Sequence, residues 1–322
     1  MRDKARIIRT IALACALASI GAAASAQDTL KFAVGQRGNW DTSITEIGQR
    51  AGIFKKHGLV VDIVYTQGSG ETQQAVISGS VDIGASIGMM GALSAFSKGA
   101  PVRIIGAEMT GSPDLFWYVR GDSPIKSFKD LTDKNTIAYS TVGASTHGIV
   151  LAFIKQYDLK AKPVATGSPP ATLTSVMSGQ IDVGWAAPPF GLDLLDQGRI
   201  RILGSGNDTV FKDQTVRLIV TTVSTLQAKK AQIERFLKAY RETIDFMYDN
   251  PQALKIYAEW LNISDAMAKR SRDDFFPRAS LNPDRIIGLD IIVKDAVALK
   301  FTATEMTKEQ LAELIQIPPR AP

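Results

Sequence analysis

The sequence predicts an α/β protein built from two similar lobes that face each other across a cleft. Three observations carry this. A phrase occurs twice, 100 positions apart: Ser78-Gly79-Ser80-Val81-Asp82-Ile83-Gly84 returns as Ser178-Gly179-Gln180-Ile181-Asp182-Val183-Gly184, and the match extends outward to Val76/Val176 and Gly91/Gly191. Two copies are too few for a stacked solenoid, so they mark a duplicated lobe. Strand-like and helix-like runs alternate, which implies parallel sheets covered on both faces. Two extended segments, near 110–118 and 216–224, interrupt that alternation and read as hinge-like crossings between the lobes.

The elements follow in order. Residues 1–26 read as an export signal: Arg2, Lys4, Arg6 and Arg9 precede an apolar run from Ile11 to Ala24, and Ala24-Ser25-Ala26 offers a cleavage site before Gln27. The apolar run is too short to span a bilayer, which needs about 20 residues. Without this segment 33 basic and 31 acidic residues remain, a net charge of +2. The basic balance of the full chain therefore says little about nucleic acid, and no nucleic-acid partner is expected. Cys15, the single cysteine, leaves with the signal, so no disulfide, thiolate nucleophile or cysteine metal ligand is expected in the mature chain.

Leu30–Gly35 reads as a buried strand. Ile44, Ile47, Ala51 and Phe54 mark a helix over 44–57, stopped by Gly58. A strand (59–65), the Gly68-Ser69-Gly70 loop, a helix (72–78), a strand (81–85), a helix (91–98) and a strand (102–107) complete the first run. The second contains strands at 136–140, 162–166, 181–185 and 200–204, separated by helices at 146–157, 172–178 and 192–197. Residues 216–223 form a β-branched strand leading back out. From Gln227 the pattern is helical, through 246, 253–260, 266–273, 283–300 and 308–315, before a proline-rich tail.

An ordered set of motifs now carries a resemblance. Ile47-Gly48-Gln49-Arg50-Ala51-Gly52-Ile53-Phe54-Lys55-Lys56-His57-Gly58-Leu59 is followed by a glycine-rich loop, Ala75-Val76, Gly79, Asp82-Ile83-Gly84 and Gly99-Ala100-Pro101-Val102. Phe128-Lys129-Asp130-Leu131, Gly143-Ala144-Ser145-Thr146-His147, Gly179-Gln180-Ile181-Asp182-Val183 and Pro188 complete it. The set resembles the nitrate/sulfonate/taurine receptors of ABC importers, a family that also includes thiamine-pyrimidine-precursor receptors. It implies a type II periplasmic binding protein: two Rossmann-like lobes joined by two crossing strands, with C-terminal helices. Lobe 1 is expected over 27–112 and 222–322, and lobe 2 over 113–221. The implied protein is a periplasmic, monomeric receptor that closes about one small solute and delivers it to a membrane permease, with no cofactor and no metal.

Open α/β sheets bind ligands at the carboxyl ends of their strands, where helix N-termini offer unpaired N–H groups. That rule selects the candidate site. In the first βα loop Gly38 lets backbone approach a ligand, Asn39 offers a donor and an acceptor, and Trp40 offers a flat face, unless the tryptophan packs at the lobe edge. Ser69 follows the second strand; Glu71 beside it reads as a dipole-complementing residue. Ser86 and Ile87 follow the third strand, opposite Ala187 and Pro188 in the second lobe. Thr141, Gly143, Ser145, Thr146 and His147 lead into a helix and form the strongest anion site, although Ser145 or Thr146 also suit plain capping. His147, in the first turn, is expected to be neutral.

Asp82 and Asp182 read as structural, since each begins a strand and lies a strand length from the ligand end. No H-E-x-x-H, G-x-S-x-G or other nucleophile or metal pattern is recognisable, so no enzymatic activity is expected. Hydroxyl and N–H donors without an arginine cluster favour a small anion or zwitterion, sulfonate- or carboxylate-like. A neutral heteroaromatic solute such as a pyrimidine precursor, an enzyme on the same fold, and a receptor for a membrane sensor are the alternatives.

Overall fold

The computed structural model describes residues 27–320. The expected export segment, residues 1–26 with Cys15, and the end of the proline-rich tail lie outside the described residues.

The first sheet has five strands in the order β2-β1-β3-β10-β4: β1 (Asp28–Gly35), β2 (Leu59–Thr66), β3 (Ile83–Gly88), β4 (Val102–Thr110) and β10 (Thr215–Thr222). β1 pairs in parallel with β2 and β3, and β10 runs antiparallel between β3 and β4. In the second lobe β6 (Thr136–Tyr139) pairs in parallel with β7 (Lys162–Ala165). β5 (Phe116–Arg120) lies antiparallel between β8 (Gly184–Ala186) and β9 (Ile200–Ser205). A parallel bridge between Ile137 and Val183 joins the two pieces. The combined order β7-β6-β8-β5-β9 repeats that of the first sheet.

Each sheet thus contains one antiparallel strand that arrives from the other lobe. The chain crosses over 111–115 and again over 206–214. The crossings come just before β5 and β10 rather than within them, because both strands are fully committed to sheet pairing. β10 pairs in the first sheet, so the expected boundary at 221/222 moves ahead of Thr215.

The duplication extends to single contacts. Asp82 Oδ2 accepts the Lys31 N–H at 2.9 Å, and Asp182 Oδ2 accepts the Thr136 N–H at 2.8 Å. Both carboxylates tie a strand start to its neighbour, a structural role, and Asp82 also pairs with Lys229. The Thr66–Thr72 hydroxyl pair (2.7 Å) returns as Thr166–Thr172 (2.6 Å). A Cβ on Gly84 or Gly184 would lie 2.7 Å from the methyl of Val76 or Val176; glycine here lets each helix seat on its strand.

Several elements differ from expectation; the strand expected over 181–185, for one, forms only over Gly184–Ala186. The helix expected over 44–57 is broken into α1 (Ile44–Arg50) and α2 (Ile53–Lys56), because Gly52 takes φ 75° between them. β3 begins at Ile83 and runs on to Gly88. The helix expected from 283 forms only over Leu289–Ala298, after Gly288 at φ 73°.

Helices fill the sheet faces: α3 (Ser69–Ile77), α4 (Met89–Ser97), α5 (Ser145–Gln156), α6 (Pro169–Met177), α7 (Leu192–Asp196) and α8 (Val223–Ala228). The C-terminal helices α9 (Lys230–Asp249), α10 (Gln252–Leu261), α11 (Asp265–Phe275), α12 (Leu289–Ala298) and α13 (Lys308–Leu314) then wrap the first lobe. α9 packs on α1, α12 on α4 and α13 on β4. One apolar cluster lies between the first sheet and α9–α11; a second runs from the opposite face of that sheet through Met89, Met90 and Leu115 into the second lobe. Among the described residues no helix is long and apolar enough to cross a membrane.

Candidate functional site

The carboxyl ends of the strands of both lobes converge on one small buried cavity. Gly35, Gln36, Asn39, Asp41, Thr42, Ser69, Ser86 and Arg217 line it from the first sheet and its loops. Ser140, Ala144, Ser145, Thr146 and Trp185 line it from the second lobe, with Leu115 of a crossing segment between them. About 20 Å³ of free space remains, room for a water molecule but not for an organic solute. The lobes are closed.

Charge at the cavity is organised by one buried arginine. Arg217 Nη1 donates to Asp41 Oδ2 and Nη2 to Asp114 Oδ2, each at 2.7 Å, and neither carboxylate is exposed. Burial alone lowers Arg217, but Asp114 and Asp41 outweigh it and hold the guanidinium above its ordinary value. Burial pushes Asp114 up to about 6 against the pull of Arg217; the direct ion pair keeps it charged at neutral pH. Arg217 and Asp41, the charged cavity-lining residues, neutralise each other, and Asp114 adds a negative charge behind them. The cavity holds no spare cation for an anion.

Polar groups at the wall are also unpaired. Asn39 Oδ1, Asp41 Oδ1 and Trp185 Nε1 are buried without a hydrogen-bond partner among the described residues. Each such group costs about 1–3 kcal/mol unless something completes it. Two of them are acceptors and one is a donor. The second-lobe wall ends in the N-terminus of α5, where Ser145 and Thr146 begin a twelve-residue helix and backbone N–H groups lack helical partners.

Backbone contacts close the lobes. The Gly91 N–H donates to Gly143 O at 3.1 Å, and the Gly70 N–H donates to Thr141 Oγ1 at 2.9 Å. A Cβ on Gly88 would lie 2.3 Å from Gly143 O, so position 88 has no room for a side chain of its own at this seam.

The structure sorts the residues expected at the site. Asn39, Ser69, Ser86, Ser145 and Thr146 line the cavity. Ser69 Oγ also accepts the Gly88 N–H at 2.7 Å, and Thr146 Oγ1 accepts the Ser140 N–H at 3.0 Å, so both hydroxyls are partly committed to the scaffold. Thr141 and Gly143 belong to the seam instead. Gly38, at φ 116°, packs against Phe190 and Leu261 and passes its carbonyl to Tyr257.

Trp40 is not a ligand platform. It is fully buried, edge-on to Tyr257 at 4.9 Å and Tyr248 at 6.1 Å, because the helices after β10 cover that side of the loop. Ile87 and Ala187 are likewise fully buried core residues that do not line the cavity. Pro188 precedes Pro189 in a cis bond and does not reach the cavity. His147 stacks on Tyr139 at 4.3 Å and accepts the Gly143 N–H through Nδ1 at 3.3 Å. Burial lowers its pKa, as the neutral reading requires, but it braces the seam loop rather than the cavity.

The residues that sequence reasoning missed are Gln36, Asp41, Thr42, Ser140, Trp185 and Arg217. Trp185 closes the second copy of the repeat, where the first copy has Ala85. Asp41 ends the same loop as Asn39. Arg217 is one charge inside a strand buried along its whole length, and that is the signal that would have found it.

The geometry accords with known proteins. The alkanesulfonate-binding protein SsuA of Xanthomonas axonopodis pv. citri, bound to MOPS, superposes with a TM-score of 0.74 at 16% identity, covering 90% of this chain and 98% of that one. The nitrate-binding protein NrtA of Synechocystis gives 0.61 at 14% identity over 76% and 70%. These likenesses show the periplasmic-binding-protein fold. A Brucella abortus protein provisionally named a binding protein is 28% identical over 233 residues, 70% of each chain. Residues 43–254 match the family profile described as NMT1/THI5 like, and the chain belongs to that family.

Proposed function

We propose that this protein is an extracytoplasmic solute receptor of an ABC importer and that its solute is a small zwitterion, an amino-carboxylate or amino-sulfonate. The observation that carries the ligand class is the pairing of opposite ends in one cavity. Asp41 and Asn39 present bare buried oxygens from the first lobe, whereas the N-terminus of α5, with Ser145, lies across from them in the second. An ammonium group suits the oxygens, and an oxyanion suits the helix N-terminus. A simple anion gains the second contact but meets the Asp41 carboxylate. Of the small anions and zwitterions expected from the sequence, the zwitterions therefore fit better.

Because each end is held by a different lobe, both contacts exist only when the lobes are closed. Binding then shifts the population toward closure, and the closed form is what a permease would read. A cleaved export signal, periplasmic location and action as a monomer without cofactor or catalysis complete the proposal.

Calorimetric titration and thermal shift test the ligand class. β-Alanine and taurine are compared with propionate, ethanesulfonate and nitrate. A charge-assisted hydrogen bond to Asp41 makes the amino compounds tighter by about 10- to 100-fold. Ethanesulfonate or nitrate binding as tightly as taurine would refute the zwitterion. A second reading rests on Trp185, whose unpaired Nε1 and flat face at the cavity suit an aminopyrimidine. Such a compound binding while both amino acids fail would select it.

A further inference from the structure

The wall residue Ser86 has a backbone that its neighbours must hold. Its φ is 54°, the left-handed region that a serine occupies only under constraint. The cause is a bulge. In the β3–β10 ladder Ile87 pairs with Leu218 but Gly84 pairs with Val220, so β3 carries one extra residue across Ala85–Ser86. A bulge takes a residue out of the ladder and re-aims its side chain. Here it also strips the Ser86 N–H of its strand partner.

Glu108, on β4 at the far side of β10, supplies what the bulge removes. The Ser86 N–H donates to Glu108 Oε2, and the Ser86 hydroxyl lies 3.0 Å from Oε1. The Tyr240 hydroxyl, from α9, donates to the same Oε1 at 3.3 Å. Glu108 is 1% exposed and forms no ion pair, since Arg217 is committed to Asp41 and Asp114. Burial without a cation of its own favours the neutral acid.

We propose that Glu108 is a positioning residue of the solute site, a neutral acid that clamps the β3 bulge and so aims Ser86 at the cavity. The proposal rests on the solute reading given above. The facing groups are Asp41 from the first loop, Arg217 from β10, Tyr240 from α9 and Ser86 itself. Burial, and next the Asp41 charge, push Glu108 up to about 8, outweighing Ser86 and Arg217. A folded-state pKa above the unfolded one means that the stability Glu108 contributes is full below the unfolded value near 4.5. It is lost as pH rises toward 8.

Glu108→Gln keeps the shape and hydrogen-bonding capacity of the neutral acid; Glu108→Leu removes the clamp. The Ser86 amide resonance is followed by NMR from pH 5 to pH 9, without solute. In the wild type it moves with a midpoint near 8, and in Glu108→Gln it stays still. Taurine binding at pH 6 is unchanged within about twofold in Glu108→Gln and falls by about tenfold or more in Glu108→Leu, the scale of one unsatisfied buried group. A wild-type Ser86 amide that does not titrate overturns the clamp. So does a tenfold loss of taurine affinity in Glu108→Gln, or wild-type affinity in Glu108→Leu. Should taurine fail to bind the wild type, the zwitterion reading falls while the Ser86 titration still decides the clamp.

Discussion

Replacing Gly88 by alanine isolates lobe closure from everything else the site does. Gly88 has φ −63° and ψ 132°, a conformation alanine adopts without strain. The three atoms nearest an added Cβ all belong to the second lobe: Gly143 O at 2.3 Å, and Ala144 C and Ser145 N at 2.8 Å. Real Cβ contacts do not fall below 3.0 Å, so the lobes must part there by about 0.7 Å. That displacement stretches the Gly91–Gly143 and Gly70–Thr141 bonds, now 3.1 and 2.9 Å, beyond useful hydrogen-bond range. Two such bonds contribute about 1–3 kcal/mol to closure. Solute affinity should therefore fall by about 5- to 100-fold. The first lobe itself is untouched, and alanine restricts the unfolded chain, so the melting temperature should hold or rise slightly.

Small-angle scattering reads the opening without any solute, as a larger radius of gyration. Titration with taurine reads its energetic cost. Gly79→Ala is the control: its added Cβ meets nothing within 4 Å, but φ 74° strains it, so it lowers stability and leaves affinity alone. A Gly88→Ala protein that scatters and binds as the wild type does would refute closure through backbone contact at Gly88.

Asp41→Asn should weaken β-alanine by about tenfold or more, the scale of a charge-assisted bond, and strengthen ethanesulfonate; parallel titrations of the two ligands check the opposite signs. Asp82→Asn and Asp182→Asn should each lower stability by about 1.5–3 kcal/mol, the range for hydrogen bonds to a charged group, without changing affinity; denaturant melts beside titrations decide it. Burial lowers the His147 pKa in the folded state. The stability this residue contributes is therefore full above the unfolded value of 6.5 and is lost as pH falls below it. His147→Gln, neutral at every pH, should flatten the dependence of melting temperature on pH below 6.5; an unchanged slope assigns the acid sensitivity elsewhere.

The duplicated lobe was legible in the sequence because it is written in local terms. A helix-stop glycine, a strand-start aspartate and a strand glycine recur at fixed spacing in both copies. Each makes the same contact twice, as Asp82 with Lys31 and Asp182 with Thr136 do. The alternation of elements located most strands to within a few residues. What local pattern could not show was the exchange of β5 and β10 between sheets. A strand that is β-branched and apolar fits either sheet, and only pairing decides which one receives it. The same limit explains Trp40. Its loop position is that of a ligand contact, but Tyr248 and Tyr257, more than 200 residues later, cover it.

The site divides along the same line. Hydroxyls at helix starts, such as Ser69, Ser145 and Thr146, follow from the rule that α/β sheets bind at strand ends. The charges do not. Arg217 stands in a strand with no exposed position, so it must have acidic partners. Sequence names no partner, because Asp41 lies 176 residues away and Asp114 lies 103 away. Once the fold brings them together, one guanidinium holds both the acid at the cavity wall and the segment through which the chain first crosses between lobes. Any solute group that engages the second oxygen of Asp41 acts on a residue already tied to that crossing. On the proposed reading, the acid that selects the solute and the segment that crosses between the lobes thus share one buried arginine, through two ion pairs. The proposed ligand class therefore rests on long-range pairing, whereas the lobes follow from a repeated phrase.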